Sequence, residues 1–229
     1  MFETYGVTAV PAEPQPGAPM RATGLAARRG WRRVEGSSPV LPVLPELAGL
    51  LPSGGLRRGA TVAVTRGSWL LLAMLSAASR AGSWCGVVGW PEFGGLAAAE
   101  LGVALERVVA VPEPGGQWVA ATAALLDGAD LVLARPPPGA EPRDLRRLAV
   151  RARERRSALL AAGEWPGAEL RLSIVGSRWS GLDGGAGHLL GRELTVRVEG
   201  RGAAARPQEA VLRLPRGGPA GGADVAAVA

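Results

Sequence analysis

The sequence predicts an α/β fold, with a mostly parallel sheet flanked by helices and extended by C-terminal antiparallel hairpin strands. Three observations carry this. Between residues 61 and 162, short apolar runs alternate with helix-length segments, the pattern of βαβ units whose strands are covered on both faces. After Gly163 the apolar residues fall at every second position, the mark of half-exposed antiparallel strands. The chain is 229 residues long and 47% hydrophobic, which suffices for a sizeable core.

In chain order, residues 1–38 are rich in Pro, Ala, Gly and Arg without sustained periodicity, apart from a helical turn near Leu25–Arg33. They read as a flexible N-terminal arm. Residues 39–215 form the main domain. Its lead-in, residues 39–56, is apolar but broken by proline, with one helical turn over Glu46–Leu51. Thr61–Thr65 reads as a buried strand and Trp69–Ala81 as a helix apolar almost all round, hence buried. The next elements are a strand at Trp84–Gly89, a helix at Phe93–Leu101, a strand at Arg107–Val111 and a helix at Gln117–Asp127. Leu131–Ala134 is a strand. Pro142–Arg156 is a helix that starts on its proline, and Ala158–Ala162 is a further strand. Glu169–Val175, Arg192–Val198 and Ala210–Leu214 supply the alternating strands, and residues 216–229 read as a disordered tail.

Composition excludes several functions. All 26 basic residues are arginine, asparagine is absent, and there is one isoleucine, one histidine and one cysteine. Part of the Ala, Gly, Pro and Arg excess resembles the codon bias of a GC-rich genome and carries no functional meaning. Without lysine there is no Schiff-base chemistry and no phosphate-loop lysine. A single histidine and a single cysteine leave no support for a zinc site or a disulfide framework. No metal or cofactor is expected. The longest apolar run, Trp69–Ser79, has eleven residues, and a membrane span needs about 20. Glu3 sits where a signal peptide would be basic. The expectation is a cytoplasmic protein with no membrane contact.

The net charge of +6 is concentrated in one segment, since residues 143–156 hold seven arginines and two acids. Leu145, Leu148, Ala149 and Ala152 fall at i, i+3, i+4 and i+7, a core-facing stripe. Arg143, Arg146, Arg147, Arg151, Arg153, Arg155 and Arg156 take the wet positions. They form either a solvated helix face, their stems covering apolar surface, or a basic patch for phosphate or an acidic partner.

Ligands of open α/β sheets bind at the carboxyl ends of strands, so the first strand–turn–helix is where chemistry belongs. It reads Thr61-Val-Ala-Val-Thr-Arg66-Gly67-Ser68-Trp69. A phosphate cradle needs about eight loop residues with lysine and Ser/Thr at its end; about three residues are available here. Arg66, Gly67 and Ser68 are therefore a degenerate nucleotide site, expected to be inactive. The strand Leu131–Ala134 ends in Arg135-Pro136, with no carboxylate. Glu92 follows a strand end but has no evident base, metal or phosphate partner. Asp127 and Asp130 read as caps of helix or strand ends, His188 as a solvated loop residue and Cys85 as a small core hydrophobe. Of the seven tryptophans, Trp84 and Trp118 read as core. Trp31, in the arm, and Trp165 and Trp179, beside glycine-rich turns, read as exposed contact residues, with Arg178 next to Trp179.

The order of these motifs resembles the RecA-like core over roughly residues 40–165. Gly54-Gly55-Leu56 with Gly59 is similar to the lead-in before the RecA phosphate loop. The run from Trp84 to Pro136 follows RecA order: strand, acidic turn, helix ending at Leu101-Gly102-Val103, strand, Pro-x-x-Gly turn, helix, strand. The departures are the lysine-free turn, Trp90 where the family has its catalytic glutamate (Glu92 is two positions off), and Arg135-Pro136 at the Walker-B carboxylate. Ser177–Leu182 and Ala203–Pro207 resemble the actinobacterial ImuA-type proteins (ImuA′), degenerate RecA relatives of the SOS mutagenesis cassette. That resemblance implies a non-catalytic accessory protein of DNA-damage-induced translesion synthesis. Its partners would be an ImuB-like polymerase adaptor and a DnaE-type error-prone polymerase. Two alternatives stay open: direct nucleic-acid binding through the Arg-rich helix, with Trp179 as a stacking platform, and a SulA-like division inhibitor, since SulA-type proteins are distant cousins. Self-association stays open too.

Overall fold

The computed structural model describes residues 38–180, 191–215 and 225–227. Most of the arm (including Trp31 and the helical turn near Leu25–Arg33), His188 and residues 216–224 lie outside the described residues.

The chain enters through a two-residue strand β1 (Val40–Leu41), a single helical turn α1 (Pro45–Ala48) and strand β2 (Leu56–Arg57), which pairs antiparallel with β1. The α/β core follows: β3 (Thr61–Arg66), α2 (Ser68–Arg80), β4 (Cys85–Val88), α3 (Gly95–Glu100), β5 (Val108–Val111), α4 (Trp118–Gly128), β6 (Leu131–Ala134), α5 (Pro142–Arg155) and β7 (Ala158–Ala162). Three longer strands complete it, β8 (Leu170–Ser180), β9 (Gly191–Gly200) and β10 (Gln208–Pro215), with a short β11 (Val225–Ala227) beyond them. The nine-stranded sheet has the order β11-β10-β9-β8-β3-β7-β6-β4-β5. All pairings from β8 through β3 to β5 are parallel, and those among β8, β9, β10 and β11 are antiparallel.

Two expectations change here. The first alternating strand, β8, is antiparallel to β9 but parallel to β3. It is the seam between the two halves of the sheet, and its period-two pattern reflects a half-solvated face. Within the expected tail, Val225–Ala227 pairs with Ala210–Leu212.

Alternation along the parallel strands builds two cores. Val62, Val64, Val87, Leu131, Leu133 and Leu160 point to the side packed by α1, α2 and α3. Ala63, Val88, Val132, Ala134, Leu159 and Ala161 point to the side packed by α4 and α5. Small residues on the second side let the two helices sit close to the sheet. On α5, Leu145, Leu148 and Ala152 are buried, as their spacing predicts.

Among the described residues no helix is long and apolar enough to cross a membrane.

Candidate functional site

The carboxyl ends of β3, β4, β6 and β7 lie along one edge of the sheet, and the chain reverses its order of laying down strands between β5 and β6. That edge is where an open sheet of this kind offers a crevice.

At the end of β3 a single residue, Gly67, separates strand from helix. Gly67 has φ 106°, a conformation that side chains resist. A Cβ there would collide with the side chain of Ile174 on β8. The Gly67 carbonyl accepts from Leu70 N–H at 3.0 Å, and no side-chain hydrogen bond caps α2. Arg66 and Ser68 are exposed beside it. The turn is shorter than its sequence suggests, and Ile174 fills the face of Gly67 that a longer loop would leave open.

Across the edge, Glu92 after β4 and Arg135 after β6 form an exposed ion pair at 2.7 Å. Glu92 thus has a partner that its sequence neighbourhood did not reveal. Trp90 is 8% exposed, with its ring tilted against Phe93 at 6.0 Å. Gly89 (φ 74°) lets the chain turn against the Arg135 carbonyl and Trp118.

Trp165 corrects an expectation. It is not an exposed contact residue; it is 2% exposed, and its Nε1–H donates to the Leu145 carbonyl at 3.2 Å. Its ring lies 6.2 Å from that of Trp118, which is core as expected. The glycine-rich turn after β7 folds the tryptophan under the first turn of α5, so glycine here marks a tight return and not an exposed loop. Trp84 is half-buried, with the Arg107 guanidinium 5.3 Å over its ring. Trp179 stands on β8 opposite Arg192, and Arg178 is exposed, 4.0 Å from Glu193.

The seven arginines at 143–156 are not equivalent. Arg151 donates twice to Asp127 of α4, at 2.9 and 2.6 Å, and Arg155 meets the same carboxylate at 3.0 Å. The hydrogen bond to Asp127 raises the Arg151 pKa further above its ordinary value. Arg153 lies 3.6 Å from Glu169, Arg143 3.4 Å from Glu141 and Arg147 3.8 Å from Asp144. Among the described residues, Arg146 and Arg156 make no ion pair. Asp127 is therefore an inter-helix tether and not a cap.

Asp130 is likewise more than a cap. It is buried just before β6, accepting from Arg58 Nη1 at 2.5 Å and from the Trp84 backbone N–H at 2.9 Å. This buried pair ties the amino ends of three strands. No residue spacing announces it, because Arg58 and Asp130 are 72 positions apart. Cys85 is fully buried on β4 as expected. Burial, with the Asp130 charge as a smaller cause, pushes its thiol well above the ordinary range.

The architecture defines a class first: an α/β protein with the RecA-like fold. Over 84% of this chain and 99% of the other, it superposes with TM-score 0.53 at 14% identity on a KaiC-like protein from Pyrococcus horikoshii. Residues 49–167 match the family described as MT3502 N-terminal domain, and the chain belongs to that family. It is also 36% identical over 128 residues to the uncharacterized protein Rv3395c of Mycobacterium tuberculosis. That match covers 54% of this chain and 63% of the relative's own length.

Proposed function

We propose that this chain is an ImuA-type, RecA-like accessory protein that works by contact and not by turnover. It would act in DNA-damage-induced translesion synthesis, beside an ImuB-like polymerase adaptor and a DnaE-type error-prone polymerase. The observation that carries the reading is the β3–α2 turn. One glycine, closed over by Ile174, stands where nucleotide hydrolysis needs a loop of successive inward backbone amides and a lysine. The chain has no lysine at all. At the position where a magnesium-binding carboxylate would follow β6 there is Arg135, paired with Glu92. A positive charge at that point opposes a metal–nucleotide complex. The match to an actinobacterial relative agrees in source with the ImuA-type resemblance of Ser177–Leu182 and Ala203–Pro207.

Direct nucleic-acid binding is the second reading, supported by Arg146 and Arg156, which make no ion pair among the described residues. It is the weaker one, since Asp127 already engages Arg151 and Arg155, and Glu169 lies 3.6 Å from Arg153.

The test is affinity capture of the tagged full chain from DNA-damaged cells, with nuclease treatment and identification of bound proteins by mass spectrometry. Recovery of the adaptor or the polymerase after nuclease is the expected result. Recovery of nucleic acid or division proteins without either of them overturns the reading.

A further inference from the structure

Helices α4 and α5 pack side by side on one face of the sheet, tied by the Asp127–Arg151 hydrogen bonds. Between them runs a groove of about 520 Å³. Its floor is apolar: Val119 and Ala123 from α4, Leu148 and Val150 from α5. Val150 is 53% exposed and Val119 37%. Valine is a poor choice for a solvated helix position, where it loses rotamer freedom and covers nothing. On α5 it is more conspicuous still, because the neighbouring wet positions hold arginine. Two valines from two helices facing the same slot form an apolar strip that nothing among the described residues covers.

The rim is polarised. Arg143, Arg146 and Arg147 line one end, and Glu154 lines the other. Arg146 makes no ion pair among the described residues. Among the described residues, Arg143 and Arg147 pair only with exposed Glu141 at the N-cap of α5 and partly exposed Asp144 in its first turn, at 3.4 and 3.8 Å. Such pairs contribute close to nothing, so all three guanidinia are available to an incoming carboxylate. Arg151, held in two hydrogen bonds by Asp127, is not.

We infer that the α4–α5 groove docks an acidic, amphipathic helical segment of a partner protein. Its apolar side chains lie on Val119 and Val150, and its carboxylates reach Arg143, Arg146 and Arg147. This deepens the reading that the chain acts by contact, and rests on it. Charge complementarity selects the occupant. A nucleic-acid backbone carries uniform negative charge, wants cations along its whole length and gains nothing from a valine floor; Glu154 at the far end would repel it. A segment with acids at one end and an apolar face matches both the rim and the floor. A slot between two packed helices suits a third helix.

The probe is a fluorescently labelled synthetic helix of about four turns, with leucines at i, i+3, i+4 and i+7 and glutamates clustered at one end. It is titrated with the full-length protein and followed by anisotropy. The expected result is saturable binding, weakened about tenfold or more by Val150→Glu and by Arg146→Glu. Arg80→Gln, on the opposite face of the sheet, leaves it unchanged. Both groove positions are solvent-facing, and matching thermal melts establish that the variants fold. The proposal is overturned if the acidic helix does not bind, or if it binds the Val150→Glu variant as well as the unaltered protein. It is equally overturned if a lysine-bearing helix or a single-stranded oligonucleotide binds as tightly. The contact reading fails on a separate result, the absence of both adaptor and polymerase from the capture experiment, so the two failures are distinguishable.

Discussion

Ile174, on the strand that joins the parallel and antiparallel halves of the sheet, packs against the bare Cα of Gly67 at the mouth of the first strand–helix turn. Two features meet there. Gly67 holds a φ that favours glycine, and β8 carries a large side chain into the space above it.

Gly67→Ala is therefore expected to destabilise the protein by about 1–3 kcal/mol. Both backbone strain and the collision with Ile174 contribute. Urea unfolding of Gly67→Ala, Ile174→Ala and the double variant separates the two causes. A double variant less destabilised than the sum of the singles shows that the collision matters. Opening the space is not expected to create a nucleotide site, since no lysine is present. Titration of the Ile174→Ala variant with a fluorescent ATP analogue and magnesium is expected to show no saturable binding.

The fold was legible because β3, β6 and β7 are short and largely buried on both faces, so Thr61–Thr65, Leu131–Ala134 and Ala158–Ala162 stand out as apolar runs between helix-period segments. The shortened turn was legible for a simpler reason: its residues are absent. What was not legible depends on contacts between distant segments. Trp165 sits beside glycines in sequence, and only the return of the chain beneath α5 buries it. Asp127 looks like a helix end until Arg151, 24 residues on, reaches it. The partner of Asp130 lies before the first parallel strand. The groove was invisible because Val119 and Val150 are unremarkable singly, and only the packing of α4 on α5 brings them to one slot.

The Arg58–Asp130 pair gives a second prediction. Both side chains are nearly inaccessible, at 7% and 4% exposed, so removing one charge strands the other. Asp130→Asn or Arg58→Met alone is expected to cost about 3–5 kcal/mol. The double variant Arg58→Met/Asp130→Leu is expected to cost less than the sum of Arg58→Met and Asp130→Leu made singly, because no buried charge remains uncompensated. Chemical denaturation of the three variants measures the coupling directly.

Trp165 gives the third. As a buried ring with a satisfied indole N–H, it contributes through packing and through one hydrogen bond. Trp165→Ala is expected to cost about 3–5 kcal/mol. Trp165→Phe keeps most of the volume but leaves the Leu145 carbonyl without its indole donor, and is expected to cost about 1–3 kcal/mol. An exposed contact tryptophan would behave oppositely, with little loss of stability in either variant. Thermal and urea unfolding, read alongside the emission maximum of the remaining tryptophans, decides between them.

Cys85 sets the response to alkali. Burial raises its thiol in the folded state, while the unfolded chain keeps the ordinary value of about 8.5. Below that value both states hold the proton, and the stability associated with the buried thiol is fully present. As pH rises past it, the unfolded state loses the proton first and is favoured, so stability falls by up to about 1.4 kcal/mol per pH unit. Cys85→Ala removes this dependence while leaving a small cavity whose cost does not vary with pH. Urea midpoints compared between pH 8 and pH 10 should therefore converge as pH rises, with the unaltered protein falling faster than Cys85→Ala. Parallel slopes would show that the thiol is not the group responsible. A thiol reagent at pH 8 gives the companion test: slow reaction in buffer, limited by global opening, and full reaction of one thiol in denaturant.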